Sequence, residues 1–285
     1  MKNRFDGGAE METGQSMLDC LRFAFNVWDC ESARAVIDAA AARDQGVILQ
    51  TSTSVYKGFD PKAFAAFSKA YAASSGVSMW LNIDHCRDEE LLKDAVDSGW
   101  DMIMADGSAL TLDKNIEFTN RVAEYAHDRG VLVEGEIGQV IGVEDDVVVR
   151  DAAKSSRGDI RAFLEGTRVD LAAIAFGNAH GDYVAPPDLD YDLLSYAAGL
   201  ASVPLVVHGA SGLSSEELSR LAALPYVRKI NISTDLKQSY LRGLERARKD
   251  GLLDSNGFQP VALLRELRES LMQEVDSKLQ LAVGC

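Results

Sequence analysis

Cations are in deficit in this chain: 29 Lys and Arg face 44 Asp and Glu among 285 residues, a formal net charge of −15 at pH 7. They are scattered and form no basic stripe, which excludes a nucleic-acid-binding surface. An anionic ligand must therefore be held locally, by backbone N–H groups or by a metal ion. Cysteine is scarce as well: Cys20, Cys30, Cys86 and Cys285 show no CxxC spacing, and the N-terminus opens with no apolar signal region. These absences predict a cytoplasmic protein with reduced thiols. No apolar run approaches the roughly 18 residues that suggest a membrane span. With no Pro/Ser-rich linker and no break in composition, residues 1–285 read as a single domain.

What is present is a steady alternation, in a chain whose 47% hydrophobic content can bury a large core. Short apolar or β-branched runs at 23–27, 47–52, 78–84, 102–106, 131–137, 170–176, 204–208 and 229–233 are each followed by a helical pattern. Parallel strands joined by crossover helices have this signature, and eight such units in about 250 residues predict an α/β fold, a closed (β/α)8 TIM barrel with its core at about 23–250. Leu263, Leu264, Leu267, Leu271 and Val275 continue an apolar helical pattern, so about 259–285 reads as one or two extra C-terminal helices over the barrel or a neighbouring subunit. Residues 138–158 carry glycines and acidic side chains without a helical period. A connection of that length reads as a functional loop, a lid.

Three of the four histidines follow short apolar runs, in Ile83-Asp84-His85, Phe176-Gly177-Asn178-Ala179-His180 and Val206-Val207-His208. They fall at the ends of the third, sixth and seventh strands, the barrel rim that carries active sites, and three imidazoles with one open position suit a catalytic zinc. The fourth, His127, reads as a solvated residue at a helix C-terminus, where the dipole favours it. Asp84, directly before a ligand, reads as an acid/base group. Asp106 ends the fourth strand, while Glu134 and Glu136 alternate along the fifth and share one side. Inside a barrel they need partners: either a salt-bridge layer with Lys229 or, for Asp106 and Glu136, a second cation site. The turns His208-Gly209-Ala210-Ser211-Gly212 and Asn231-Ile232-Ser233-Thr234 end strands seven and eight, the usual place of a phosphate nest in such barrels.

In order, Asp84-His85, Asp106-Gly107-Ser108, Val133-Glu134-Gly135-Glu136-Ile137-Gly138, Gly142-Val143-Glu144-Asp145-Asp146, Ala179-His180-Gly181, His208-Gly209-Ala210-Ser211-Gly212 and Asn231-Ile232-Ser233-Thr234-Asp235-Leu236-Lys237 resemble the class II, zinc-dependent ketose-bisphosphate aldolases of the tagatose- and fructose-bisphosphate type. The resemblance runs over about 23–245. It implies that His85, His180 and His208 bind a catalytic zinc that polarises the ketose C2 carbonyl, that Asp84 moves the C4 hydroxyl proton, and that Glu144 moves a proton on the dihydroxyacetone phosphate carbon. It further implies that Asn231 steadies the enediolate, that Asn26, Ser52, Gly181, Gly209, Ala210, Ser211, Ser233 and Thr234 hold the substrate, and that Asp106 and Glu136 line a second metal position. The expected partner is a phosphorylated ketose or dihydroxyacetone phosphate, and the expected assembly is a homodimer or homotetramer. Departures at Asn82, Asn178, the segment before Phe25 and the stretch after the mobile loop bear on the aldehyde half of the substrate. They leave open fructose or tagatose bisphosphate, a keto-deoxygluconate phosphate or a sulfonated ketose phosphate. A zinc hydrolase on the same barrel and a non-catalytic sugar-phosphate-binding or assembly subunit are the alternative readings.

If the three histidines hold the catalytic metal, chelation abolishes aldol activity and His208→Ala loses both bound zinc and turnover. Full turnover in metal-free protein contradicts this.

Overall fold

A computed structural model describes residues 18–144, 147–149, 153–181, 187–254 and 256–282. In chain order the first elements are β1 (Arg22–Asn26), α1 (Cys30–Ala41), β2 (Val47–Ser52), α2 (Thr53–Lys57), α3 (Pro61–Ser75), β3 (Met79–Cys86), α4 (Glu89–Asp97), β4 (Met102–Ala105), α5 (Leu112–His127) and β5 (Leu132–Ile137). The chain continues through β6 (Ile141–Glu144), β7 (Val147–Val149), α6 (Arg157–Gly166), β8 (Leu171–Ile174), β9 (Ala179–His180), α7 (Tyr191–Leu200), β10 (Leu205–Val207), α8 (Ser215–Ala222), β11 (Val227–Ile232), α9 (Thr234–Lys249) and α10 (Pro260–Leu279). Strands β1, β2, β3, β4, β5, β8, β10 and β11 close in that order into a parallel barrel, as expected from the alternation.

Local chemistry marks where the helices begin. Asp29 caps α1 in a capping box with Ser32, Asp60 caps α3 ahead of Pro61, and Ser156, Asp190 and Ser214 cap α6, α7 and α8. The main apolar core lies between the strands and the helix ring, with Phe23, Ile37, Leu49, Phe163 and Ile230 fully buried. A second, smaller cluster of Ala24, Ile48, Trp80, Met102, Leu132, Leu171, Ala173 and Val206 plugs one end of the barrel interior. Further along the same inward faces stand Asn26, Gln50, Asn82, Asp84, Glu134, Glu136, Lys229 and Asn231, all buried. The interior is thus apolar at one level and polar at the next.

Three readings need correction. Residues 138–158 are not irregular throughout: β6 and β7 pair antiparallel, and β6 pairs parallel with β9, which carries His180. The β-branched run Val147-Val148-Val149 is the strand signal that the search for a helical period passes over. The turn of helix α2, with Ser52 as its N-cap, also falls outside the simple alternation. Cys20 is held in a disulfide whereas Cys30 and Cys86 are free thiols, so the absence of CxxC spacing did not decide the redox state.

The C-terminal extension is one helix in the described residues. It packs on α9 and α1 of its own chain and is tied there by Arg268–Glu31 (3.3 Å), Arg242–Glu274 (2.8 Å) and Lys278–Asp235 (2.6 Å). His127 is exposed at the end of α5, 2.8 Å from Asp170, in keeping with its reading as a helix-end histidine. No helix among the described residues is long and apolar enough to cross a membrane.

Candidate active site

Strand alternation turns consecutive side chains to opposite faces, so Asp84 and His85 would ordinarily point apart. The barrel avoids this with an irregularity. Between Ile83 and Cys86 the β3–β4 register shifts, three steps of β3 matching two of β4, and His85 adopts φ 48°, in the left-handed region that a non-glycine residue enters at a cost. Both side chains then reach one site: Asp84 is hydrogen-bonded to Asn231, and His85 Nε2 lies 3.0 Å from His208 Nδ1.

The three histidines come together from different elements. His85 is in β3, His208 directly follows β10, and His180 ends β9, in the small sheet and not on a barrel strand as the spacing suggested. Their ring centroids are 4.6, 5.0 and 5.9 Å apart, and one ligand atom from each lies within 4.8 Å of the others. Glycine makes the approach possible. A Cβ on Gly142 would stand 2.1 Å from the His180 carbonyl oxygen, and one on Gly209 2.1 Å from that of Ala179, both at positive φ.

The donor set fits a metal ion. His208 Nε2 is 2.7 Å from Glu134 Oε1, and Glu134 Oε2 accepts from Lys229 Nζ, also at 2.7 Å, with all three side chains fully buried. A ring that donates through Nε2 keeps its Nδ1 lone pair free for the cavity, where Asn231 Nδ2 (3.1 Å) and His85 Nε2 face it. Burial, the largest influence, keeps the His208 pKa below its ordinary value, so the ring stays neutral as a ligand must. Tetrahedral zinc with bonds of about 2.0–2.1 Å separates its ligand atoms by about 3.4 Å, close to the spacing of the His85 and His208 nitrogens.

A second group shares His85. Its Nδ1 stands 3.5 Å from Asp106 Oδ2 and 3.4 Å from Glu136 Oε2, and the three could hold a cation together. The carboxylates differ. Burial works against ionisation of Asp106, yet His85, Arg87 (2.9 Å) and the Ser108 hydroxyl hold it well below the usual carboxylate range. Burial pushes Glu136 well above that range, with Asp106, Glu134 and Asp84 adding repulsion, and its buried Oε2 accepts no hydrogen bond among the described residues. Glu134 is buried too, but Lys229 and His208 overcome that burial and bring it down to about 2. The two sequence alternatives therefore divide between the two glutamates: Glu134 forms the salt bridge with Lys229, and Glu136 belongs to the group suited to a cation.

Asp84 sits among amides. Its Oδ2 accepts from Asn26 Nδ2 (3.0 Å) and Gln50 Nε2 (3.0 Å), its Oδ1 from Asn231 Nδ2 (3.3 Å). Gln50 also donates to Asn26 Oδ1 at 2.7 Å and receives a bond from Asn82 at 3.3 Å. Gln50 was missed by sequence reasoning, although a glutamine inside the run Val47-Ile48-Leu49-Gln50 is a polar group that burial must satisfy. Asn82 reaches Asp84 through Gln50, and Asn178 bridges the Phe176 amide to the His208 carbonyl (3.0 Å each), so these two departures touch the Asp84 and histidine cluster.

The two glycine-rich turns meet as expected. Ser211 Oγ accepts from the amides of Ser233 (3.1 Å) and Asp235 (3.3 Å), and the Gly212 amide donates to Asp235 Oδ1 (3.1 Å). Ser211 thus uses its lone pairs to join the loops. Ala210 and Ser233 are buried beside it, and the N-terminus of α9 at Thr234 has no side-chain cap. Asn26 and Ser52 line a cavity next to Asp84, and Gly181 follows His180 at φ 83°. Glu144 ends β6, but its side chain lies outside the described residues.

Residues 21–284 match the family model "Fructose-bisphosphate aldolase class-II". The chain is 29% identical over 259 residues to a sulfofructosephosphate aldolase of Alkalicoccus urumqiensis and 28% identical over 260 residues to a fructose-bisphosphate aldolase of Staphylococcus epidermidis, covering 90% of this chain and 89% of each relative. It is similar in structure to the YdjI aldolase of Escherichia coli K12, with TM-score 0.78, 26% identity, and coverage of 95% of this chain and 94% of that one.

If Glu134 orients His208, Glu134→Gln combined with Lys229→Met, which removes both buried charges together, should fold and bind zinc about 10- to 100-fold more weakly in a chelator competition. Unchanged affinity in a folded double variant would sink this role.

Proposed function

The chain belongs to the class II fructose-bisphosphate aldolase family and is an aldehyde-lyase; from that premise we propose that it reversibly cleaves a phosphorylated ketose to dihydroxyacetone phosphate and an aldehyde, with zinc held by His85, His180 and His208. The observation that carries the proposal is the convergence of three buried imidazoles beside a carboxylate fixed by three amides. Zinc in this position would supply Lewis-acid polarisation of the ketone carbonyl. The remaining chemistry belongs to side chains. Asp84 takes the proton of the C4 hydroxyl as the C3–C4 bond breaks, the oxygen becomes the aldehyde carbonyl, and the bonding pair passes to the ketone fragment. Asn231, within reach of Asp84 and His208, donates to the oxygen on which charge develops. Glu144 delivers the proton that converts this fragment to dihydroxyacetone phosphate.

The phosphate on the ketone side is held by Gly181, Gly209, Ala210, Ser211, Ser233 and Thr234, an arrangement of backbone and hydroxyl donors that needs no excess of cations. Asp106 and Glu136 would hold a second divalent or monovalent cation. A hydrolase needs no such nest beside its metal, and a non-catalytic subunit needs neither Asp84 nor Glu144. Both alternatives therefore explain less. The working form is a homo-oligomer, dimer or tetramer.

Asp84→Ala and Glu144→Ala should fail at different steps. The first should lose carbon–carbon cleavage and the second mainly proton exchange between dihydroxyacetone phosphate and solvent, each by about 10² to 10⁴-fold. Equal losses of both activities in both variants contradict the division of labour. Dihydroxyacetone should replace its phosphate poorly, since each charge-assisted hydrogen bond lost is worth about 1.5–3 kcal/mol. Equal kcat/KM for the two nucleophiles would exclude the phosphate nest.

A further inference from the structure

A cavity of about 380 Å³ opens between the ends of β1 and β2 and helix α9. It adjoins Asp84, because Asn26, which lines it, donates to Asp84 Oδ2 at 3.0 Å. The walls are Val27, Trp28, Val55, Tyr240 and Leu241, with Trp28 and Tyr240 meeting edge to face at 5.3 Å. Besides the Tyr240 hydroxyl, the polar groups of the lining are those of Asn26, Ser52 and Lys237, and these three are already engaged. Asn26 binds Asp84 and Gln50, Ser52 faces Ser54 at 3.1 Å and caps α2, and Lys237 has an interaction partner of its own. Arginine is absent from this lining among the described residues. A phosphate dianion needs several charge-assisted donors, and apolar walls that strip its water make an incomplete set costly. The net charge of −15 offers no long-range attraction in compensation.

We infer that the aldehyde half of the substrate carries no second phosphate and ends in an uncharged, largely apolar carbon chain seated in this cavity. The inference rests on the aldolase reading and gives its substrate class. In condensation, C3 of dihydroxyacetone phosphate gives up a proton to Glu144 and forms the new bond to the aldehyde carbon. The carbonyl pair moves to oxygen, which takes a proton from Asp84. The chain beyond that carbon enters the cavity.

The test fixes dihydroxyacetone phosphate and compares butanal, glyceraldehyde and glyceraldehyde 3-phosphate by kcat/KM, in wild type and in Leu241→Arg, which places a cation at the cavity mouth where Leu241 is 58% exposed. Butanal should exceed glyceraldehyde 3-phosphate by about tenfold or more, the scale of discrimination that small apolar groups provide, and Leu241→Arg should shift the ratio about tenfold toward the phosphorylated aldehyde. Proton exchange of dihydroxyacetone phosphate alone should be the same in both proteins. Preference for glyceraldehyde 3-phosphate with exchange intact overturns the inference and leaves the aldolase reading standing. An unmoved ratio in Leu241→Arg also overturns it. Absence of exchange in the wild type removes the aldolase reading itself, and the inference with it.

Discussion

The site depends on the irregularity in β3. A regular strand would send Asp84 and His85 to opposite sides of the sheet, and the carboxylate would then be separated from the imidazole cluster by the barrel wall. One extra residue in β3 against β4, together with the left-handed backbone of His85, brings a carboxylate and an imidazole from adjacent positions to one point. Such strain persists only where its surroundings hold it. Here the register of β2 with β3 continues through Ser52 and Asp84, and the amides of Asn26 and Gln50 grip Asp84 from neighbouring strands.

Around that point the barrel solves an electrostatic problem. Four carboxylates, Asp84, Asp106, Glu134 and Glu136, are buried in one small volume. Each is handled differently: Asp84 by amides, Asp106 by Arg87 and Ser108, and Glu134 by Lys229 and His208. Glu136 faces only the His85 imidazole among the described residues, and burial dominates. A fully buried lysine is rare, and Lys229 is explained by what it neutralises. Through Glu134 it also fixes which nitrogen of His208 faces the cavity. The polar layer and the apolar plug of Ala24, Ile48, Trp80 and Met102 divide the labour, one supplying chemistry and the other a floor.

Much of this was legible in the residues. Alternating runs announced all eight barrel strands, the 47–52 run matching β2 residue for residue, because parallel strands covered on both faces keep a strong apolar signal. Barrel topology, which puts strand ends on one rim, accounts for the meeting of His85 and His208, whereas His180 reaches them from β9 of the small sheet. What escaped depends on pairing between distant segments. Nothing in Val133-Glu134-Gly135-Glu136 says that one glutamate meets Lys229 of β11 while the other does not. The pairing of Gly142 with His180, which builds a second small sheet from residues 141–149 and 179–180, is equally non-local. Asn178 reads as a substitution within a motif until its two hydrogen bonds are seen to hold the loop against the His208 carbonyl.

The central claim is that three imidazoles form the metal centre, with the His208 Nδ1 and His85 Nε2 atoms as ligands. Anomalous diffraction at the zinc edge from crystals of the zinc-loaded protein tests it most directly. The account predicts a principal peak at about 2.0–2.1 Å from one nitrogen each of His85, His180 and His208. A principal peak bound by Asp106 and Glu136 without His180 and His208, or coordination through His208 Nε2, would contradict it.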